Sequence, residues 1–443
     1  MLFPLRLTPF EEYMLLDNQP AYPMSCFILL TLRGEFDVSV FESALRQALE
    51  YHPLLTCAVT EAKGRFYWQP AGPTLTIARS HLEKDRHFPA AQGIDLFCEP
   101  ALKVTVCNEK VLPEEVRLTG QTNIVFEVHH SACDAVGLIR FMEDILCYYA
   151  RQTGFADVQR DSVQPDLLAR RGTLRVNWSA ICSILQRQFW GIFRAWTFLL
   201  NRVIPLTPKK PFNLQKPSAD YPAILLQTLT ATETQSIRRR AQQIGITPND
   251  WLLCAVFFAI QNWREQHVDD EKRGHVRIAV PTNLRTPKDV LMPAANIVSM
   301  VFLDRKPKNI QRSEAFFRGV HREMRHIKRH NLGWTFIHGL TVFRWMFGSV
   351  RKMTQQDRCW TTATVSNLGR VFADLPLPTR EDYVQVDDSL ELIGVEGSPP
   401  VRLGTALGIS VLTYAGQMEI NVHYDPHVLT RGDVQSILDD VVK

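Results

Sequence analysis

His129 and His130, with Asp134 four residues beyond the second, carry the side chains in this sequence best suited to moving a proton. A neutral imidazole has an unperturbed pKa of about 6.5, which matches it to general-base work near pH 7. Any reaction in which a nucleophile must shed a proton as it attacks has use for such a base, acyl transfer to a hydroxyl or amine among them. Cys133 stands beside Asp134, but a thiolate–imidazole pair needs a mutual geometry that this spacing does not establish. A histidine base needs no covalent enzyme intermediate. The flanking patterns say where these residues must sit. In Asn123 to Val128, Ile124, Phe126 and Val128 share one face of a period-2 strand. Leu138, Met142, Ile145 and Tyr149 then recur at spacings of three and four, the buried stripe of a helix. The histidines therefore fall where the chain leaves a sheet, a place that holds a reacting group rigidly. Asp134 directly precedes the helix, which suits an N-cap.

Other motifs follow along nearly the whole chain. They are Leu7-Thr8-Pro9, Phe36-Asp37-Val38 through Leu49, His52-Pro53-Leu54-Leu55, Asn249-Asp250, Pro281 through Arg285, Ala295-Asn296-Ile297 and Ser366-Asn367-Leu368-Gly369. With the HHxxxD, in this order, they resemble the coenzyme-A-dependent acyltransferase superfamily. That superfamily includes chloramphenicol acetyltransferase, peptide-synthetase condensation domains, wax ester synthases and alcohol O-acyltransferases. Two departures stand out. Ala135 replaces the glycine usual after the aspartate, and no PLW-type or DFGWG element is present.

The resemblance implies a mixed α/β fold of two chloramphenicol-acetyltransferase-like subdomains in a V, with a tunnel between them and His130 at its middle. It implies that His130 is the general base and His129 a supporting residue. Asp134 becomes structural, paired with Arg285 to hold the loop, and a bidentate pair is directional enough for that. Candidates to donate to the oxyanion or substrate are Asn296, Ser366 and Asn367, though Asn and Ser are also common in turns for local backbone reasons. No metal and no permanently bound cofactor are expected. The donor is an acyl-CoA co-substrate or a thioester on an acyl or peptidyl carrier protein, and the acceptor is a small-molecule hydroxyl or amine. A stand-alone condensation enzyme and a non-catalytic acyl or carrier binder are the alternatives.

Composition agrees with these classes and excludes others. The 443 residues exceed one typical core. Hydrophobic content of 45% and charged content of 22% are those of a globular protein. A net charge of +4 gives no footprint for a nucleic-acid partner. Nine cysteines without CxxC pairs suggest a reducing, cytoplasmic setting. Glu11 and Glu12 break the only apolar stretch near the start, so no signal peptide is read there. No P-loop or GxGxxG supports nucleotide hydrolysis or hydride transfer.

Between Asp166 and Asp220 there is no acid, while basic residues from Arg170 to Lys216 alternate with Trp and Phe. Arg187 and Arg194 interrupt any membrane span. Two readings stay open: a crossover helix packed between the halves, or a segment on a membrane surface. A second acid-free, aromatic stretch runs from Arg325 to Lys352. The prolines from Pro205 to Pro211 read as an extended connector. The expected organisation is residues 1–168 with the HHxxxD, a crossover and linker over 169–222, and a second subdomain over 223–443.

Overall fold

The computed structural model describes residues 2–71, 76–80, 86–108, 116–158, 160–172, 198, 200–211, 215–268, 274–354 and 359–443. Of the expected crossover helix, Trp178 to Leu200, all but Phe198 and Leu200 lies outside the described residues.

Two mixed sheets organise the chain. In the first, strands run in the order Thr379–Arg380, Tyr383–Asp387, Leu390–Ser398, Ser25–Gly34, Gln121–His129, Leu102–Asn108, Ile77–Ser80. In the second the order is Ile224–Leu229, Gln417–Tyr424, Leu407–Tyr414, Ala363–Arg370, Val276–Asn283, Val298–Arg305. The class is mixed α/β.

The histidine strand follows its pattern. Ile124, Phe126 and Val128 are buried against Leu138, Met142, Ile145 and Tyr149 of the helix Ala135–Gln152. One residue out of phase, Val125, Glu127 and His129 face the other side of the sheet. The helix Pro248–His267 starts as its Thr-Pro signal predicts, with Thr247 as N-cap and Pro248 in the first turn. Asp250 closes that capping box and also meets His321 Nδ1 at 2.7 Å. Its role is structural.

The sheets do not follow the expected division by chain order. Strands within residues 379–398, late in the chain, leave the second half and complete the first sheet. The pairing of Leu390–Ser398 with Ser25–Gly34 runs from Leu390–Gly34 to Ser398–Phe27. Sheet membership is decided by which edge is unpaired and apolar, not by sequence distance. The proline-rich connector is also more than a spacer. Ile204 and Leu206 are buried in the second core, and Arg264 donates to the Leu206 carbonyl at 2.7 Å.

Two acids of the first helix, Pro9–Asp17, tie distant elements together. Arg171 forks onto Glu11 at 2.6 and 2.8 Å, and Trp68 Nε1 donates to the same carboxylate at 3.1 Å. Glu12 accepts from Arg344, Ser349 and the Val350 amide. The second acid-free stretch divides accordingly. Ile337 and Leu340 of the helix Trp334–Phe347 pack on the first helix, while Val342, Trp345, Met346 and Phe347 are exposed, Trp345 by 84%.

Candidate active site

A cavity of about 270 Å³ lies between the two sheets. The first sheet contributes Cys26 and Ile28, the second Pro281, Val298, Met300 and Ser366. His130 lines it, one residue beyond the end of its strand.

The backbone of the histidine turn is held on both sides, while His129 Nε2 and His130 Nδ1 are buried without a hydrogen-bond partner among the described residues. His129 is fully buried and its Nδ1 accepts from the Ser131 amide at 3.2 Å, so its proton sits on Nε2. Burial, helped by the neighbouring His130, holds its pKa down to about 3. It is therefore a neutral, packed histidine. The His130 amide donates to the Met24 carbonyl at 2.8 Å, and its own carbonyl accepts from Asn296 Nδ2 at 2.6 Å. Its Nδ1 is buried with no partner in another residue. Nε2 is thus the nitrogen left to meet a substrate. Burial lowers the pKa of His130, against smaller opposing effects from its own backbone and from Asp134. Neutral imidazole, the form a base requires, is favoured.

Asp134 takes both of its expected structural parts. As N-cap, Oδ1 accepts from the Gly137 amide at 2.9 Å. Oδ2 accepts from Arg285 Nη1 at 2.8 Å and from the Ile297 amide at 2.7 Å. The ion pair is not bidentate: the arginine fork divides, and Nη2 donates to the Ala295 carbonyl at 3.0 Å. Burial opposes the Arg285 charge, but Asp134 outweighs it and raises the guanidinium above its ordinary pKa. Ala135 is the first residue of the helix and has no positive φ, so alanine suits the place.

The segment 294–297 acts as a clasp on this turn. His52, itself fully buried, accepts the Ala294 amide on Nδ1 at 2.8 Å and therefore donates from Nε2 to Asp144 at 2.9 Å. Ala295 receives the Asp134 amide and Arg285, Asn296 holds the His130 carbonyl, and Ile297 reaches Asp134. Gly137 makes the approach feasible, since a Cβ there would stand 2.9 Å from Cys133 Sγ and 3.0 Å from the Ala295 nitrogen.

Not every candidate is a cavity group. Asn296 is 4% exposed and spends its amide on the His130 carbonyl outside the cavity wall, so it is not placed to meet an oxyanion. Ser366 and Asn367 do line the cavity, but Asn367 Oδ1 already accepts the Gly369 amide at 2.9 Å. Cys133 is buried and donates to the Asp134 carbonyl; burial pushes its thiol far above the usual range, so no thiolate forms. Sequence reasoning missed Tyr13, Thr364 and the Asp17–Arg402 pair, held at 2.7 and 2.8 Å, which also line the cavity. None of them stands in a motif; only the fold brings them to His130.

No family model matches the chain. Over 287 residues, 61% of this chain, it is 23% identical to one of the linear gramicidin synthase proteins of Brevibacillus parabrevis, and it spans 4% of that protein's length. Solved structures align over nearly all of it. The trichothecene 15-O-acetyltransferase of Fusarium sporotrichioides superposes with a TM-score of 0.71 at 13% identity, covering 99% of this chain and 93% of that one. A first condensation domain, from the calcium-dependent antibiotic synthetase, gives 0.69 at 15% identity, with coverages of 99% and 95%. The chain has the condensation-domain fold. A mutant starter condensation domain of rhizomide synthetase, solved with C8-CoA and Leu-SNAC, gives 0.67 at 12% identity, with coverages of 99% and 92%. An epimerization domain of a tyrocidine synthetase gives 0.64 at 14%, with coverages of 99% and 94%, so this fold alone does not select a reaction. The site must do that.

Proposed function

We propose that the protein is an acyltransferase that moves an acyl group from a thioester to a hydroxyl or amine, with His130 as general base. One observation carries this reading: His130 is held in its turn with Nδ1 buried, its carbonyl clasped and its pKa lowered, in a cavity walled by both sheets. Nε2 takes the proton of the acceptor as its oxygen or nitrogen bonds to the thioester carbonyl carbon. The carbon–sulfur bond then breaks, and the leaving thiolate takes that proton back from the imidazolium, so the base is regenerated. Ser366, on the cavity wall, is the hydroxyl proposed to donate to the transient oxyanion. Asp134 and Arg285 hold the turn and move no proton.

An acyl-CoA donor is the reading supported by the C8-CoA bound to the rhizomide synthetase domain of the same fold. A carrier-protein thioester is the second reading, supported by the match to a gramicidin synthase. Mass spectrometry of reaction mixtures separates the two. Acylated acceptor formed from free acyl-CoA supports the first, product formed only from a carrier-bound thioester supports the second, and no acylated product from either ends the acyltransferase reading.

A further inference from the structure

A second cavity, of about 350 Å³, lies beyond the reaction chamber along the same face of the second sheet. Successive residues of a strand alternate between faces. In Val298–Arg305, Val301 and Leu303 enter the second core, so Val298, Met300, Phe302 and Asp304 share the opposite face. Val298 and Met300 line the chamber at His130; Met300, Phe302 and Asp304 line the second cavity. Met300 belongs to both. From Val298 to Asp304 the strand makes a track of roughly 20 Å.

Packed aromatic rings stand between the two cavities. Phe336, from the helix Trp334–Phe347, meets Phe10 and Tyr13 of the chamber wall at ring distances of 6.0 and 5.7 Å. On its other side it meets Phe302 at 5.5 Å. Further apolar wall comes from Phe198, Val301, Ile327, Leu340, Phe343 and Met353, with Thr335 beside them. The charged groups at the far end are engaged with one another. Arg277 forks onto Asp304 at 2.6 and 2.7 Å, Asn201 donates to Asp304 at 2.8 Å, and Glu323 meets Arg305 at 2.8 Å. An occupant therefore finds mostly apolar surface.

We propose that this cavity is a chain-binding bay that receives an unbranched alkyl chain carried by a substrate reacting at His130, with Met300 and Phe336 setting the entrance. The proposal rests on the acyltransferase reading for its chemistry and on the continuous sheet face for its geometry. Because the acyl donor and an alkyl acceptor present the same chain, both sources enter the test.

Gly339 supplies the variant. It borders the bay, and a Cβ added there meets nothing within 4 Å. Gly339→Phe thus adds bulk at the bay without a backbone collision, and on a helix it replaces the poorest ordinary helix former. Gly339→Ala adds only a methyl. Isothermal titration of the full chain with CoA, octanoyl-CoA and palmitoyl-CoA forms one arm, and 1-hexanol and 1-dodecanol the other. Wild type and Gly339→Ala are expected to bind the longer chain at least tenfold more tightly in one arm, which identifies the source. Gly339→Phe, with an unchanged or higher melting temperature, loses that difference. Affinity independent of chain length in both arms, or a length dependence that survives in Gly339→Phe, overturns the bay. His130-dependent turnover measured beside it reports on the other reading. Length-dependent binding without turnover would sink the acyltransferase assignment and leave the bay standing.

Discussion

His130 is defined by what its neighbours prevent. Its Nδ1 is enclosed, its carbonyl is held by Asn296, and burial disfavours its charged form. The sign for pH follows. A base with a lowered pKa stays neutral below the usual histidine range, so activity persists as pH falls past about 6.5 and declines only when the lowered value is reached. A kcat/KM profile with its acid limb at or above 6.5 would contradict this. The part proposed for Asn296 is to position His130 through the carbonyl it holds. Asn296→Ala is expected to lower kcat by about tenfold or more with little change in KM, and to move the acid limb, which a merely structural defect would leave in place. For Asp134, removing one partner strands the buried Arg285 charge. Asp134→Ala should cost about 3 to 5 kcal/mol in denaturant unfolding, and the double variant with Arg285→Ala less than the sum of the singles. Additive losses would mean the two groups are uncoupled.

At the scale of elements, the clasp 294–297 and the start of the helix Ala135–Gln152 are one unit, and Gly137 is the contact that lets them close. Gly137→Val puts two methyls beyond a Cβ already at 2.9 Å from Cys133 Sγ. It should destabilise the fold by about 1 to 3 kcal/mol and reduce turnover, whereas Gly339→Ala, in open space, should stabilise by up to about 1 kcal/mol. Equal effects at the two glycines would remove the clasp from the account. In the second aromatic stretch, exposed Val342, Trp345, Met346 and Phe347 are the described residues on which a membrane-surface reading can be tested. Sedimentation with anionic vesicles that falls with Trp345→Ser is the outcome it requires, and equal recovery with and without vesicles ends it.

Across the whole molecule, several histidines are buried neutral, and each works against stability in acid. His423 is 1% exposed, with a pKa held down to about 4 by burial, opposed by the Pro399 carbonyl. Below about 6.5 the unfolded chain takes up a proton that the folded chain does not, so this histidine costs about 1.4 kcal/mol per pH unit down to about 4. Glu396, raised to about 8 by burial and by Glu419, works in the opposite direction from about pH 8 down to about 4.5, which overlaps this window. The test is therefore a difference: unfolding free energies of wild type and His423→Gln, compared between pH 6.5 and 4.5, should converge or cross in favour of the variant as pH falls. Parallel curves would mean that His423 is not held neutral.

Much of the local structure was legible in the sequence because it is written in short periods. The alternation before His129, the three-and-four spacing after Asp134 and the Thr247-Pro248 start each report a face or a cap directly. The Asp134–Arg285 contact was legible only through resemblance, since 151 residues separate the partners. What pattern could not show is which distant strand fills an open edge. The return of Leu390–Ser398 to the first sheet, the turn of Asn296 toward a carbonyl rather than the cavity, and the place of Met300 between two cavities all depend on that assembly.

The most direct measurement is acceptor-dependent thiol release from acetyl-, octanoyl- and palmitoyl-CoA by wild type and His130→Ala, with unfolding curves showing that both are folded. Release that needs an alcohol or amine and falls by about a hundredfold or more in His130→Ala is the predicted result. Release that His130→Ala retains in full would contradict the account, because nothing else lining the cavity has been given the proton.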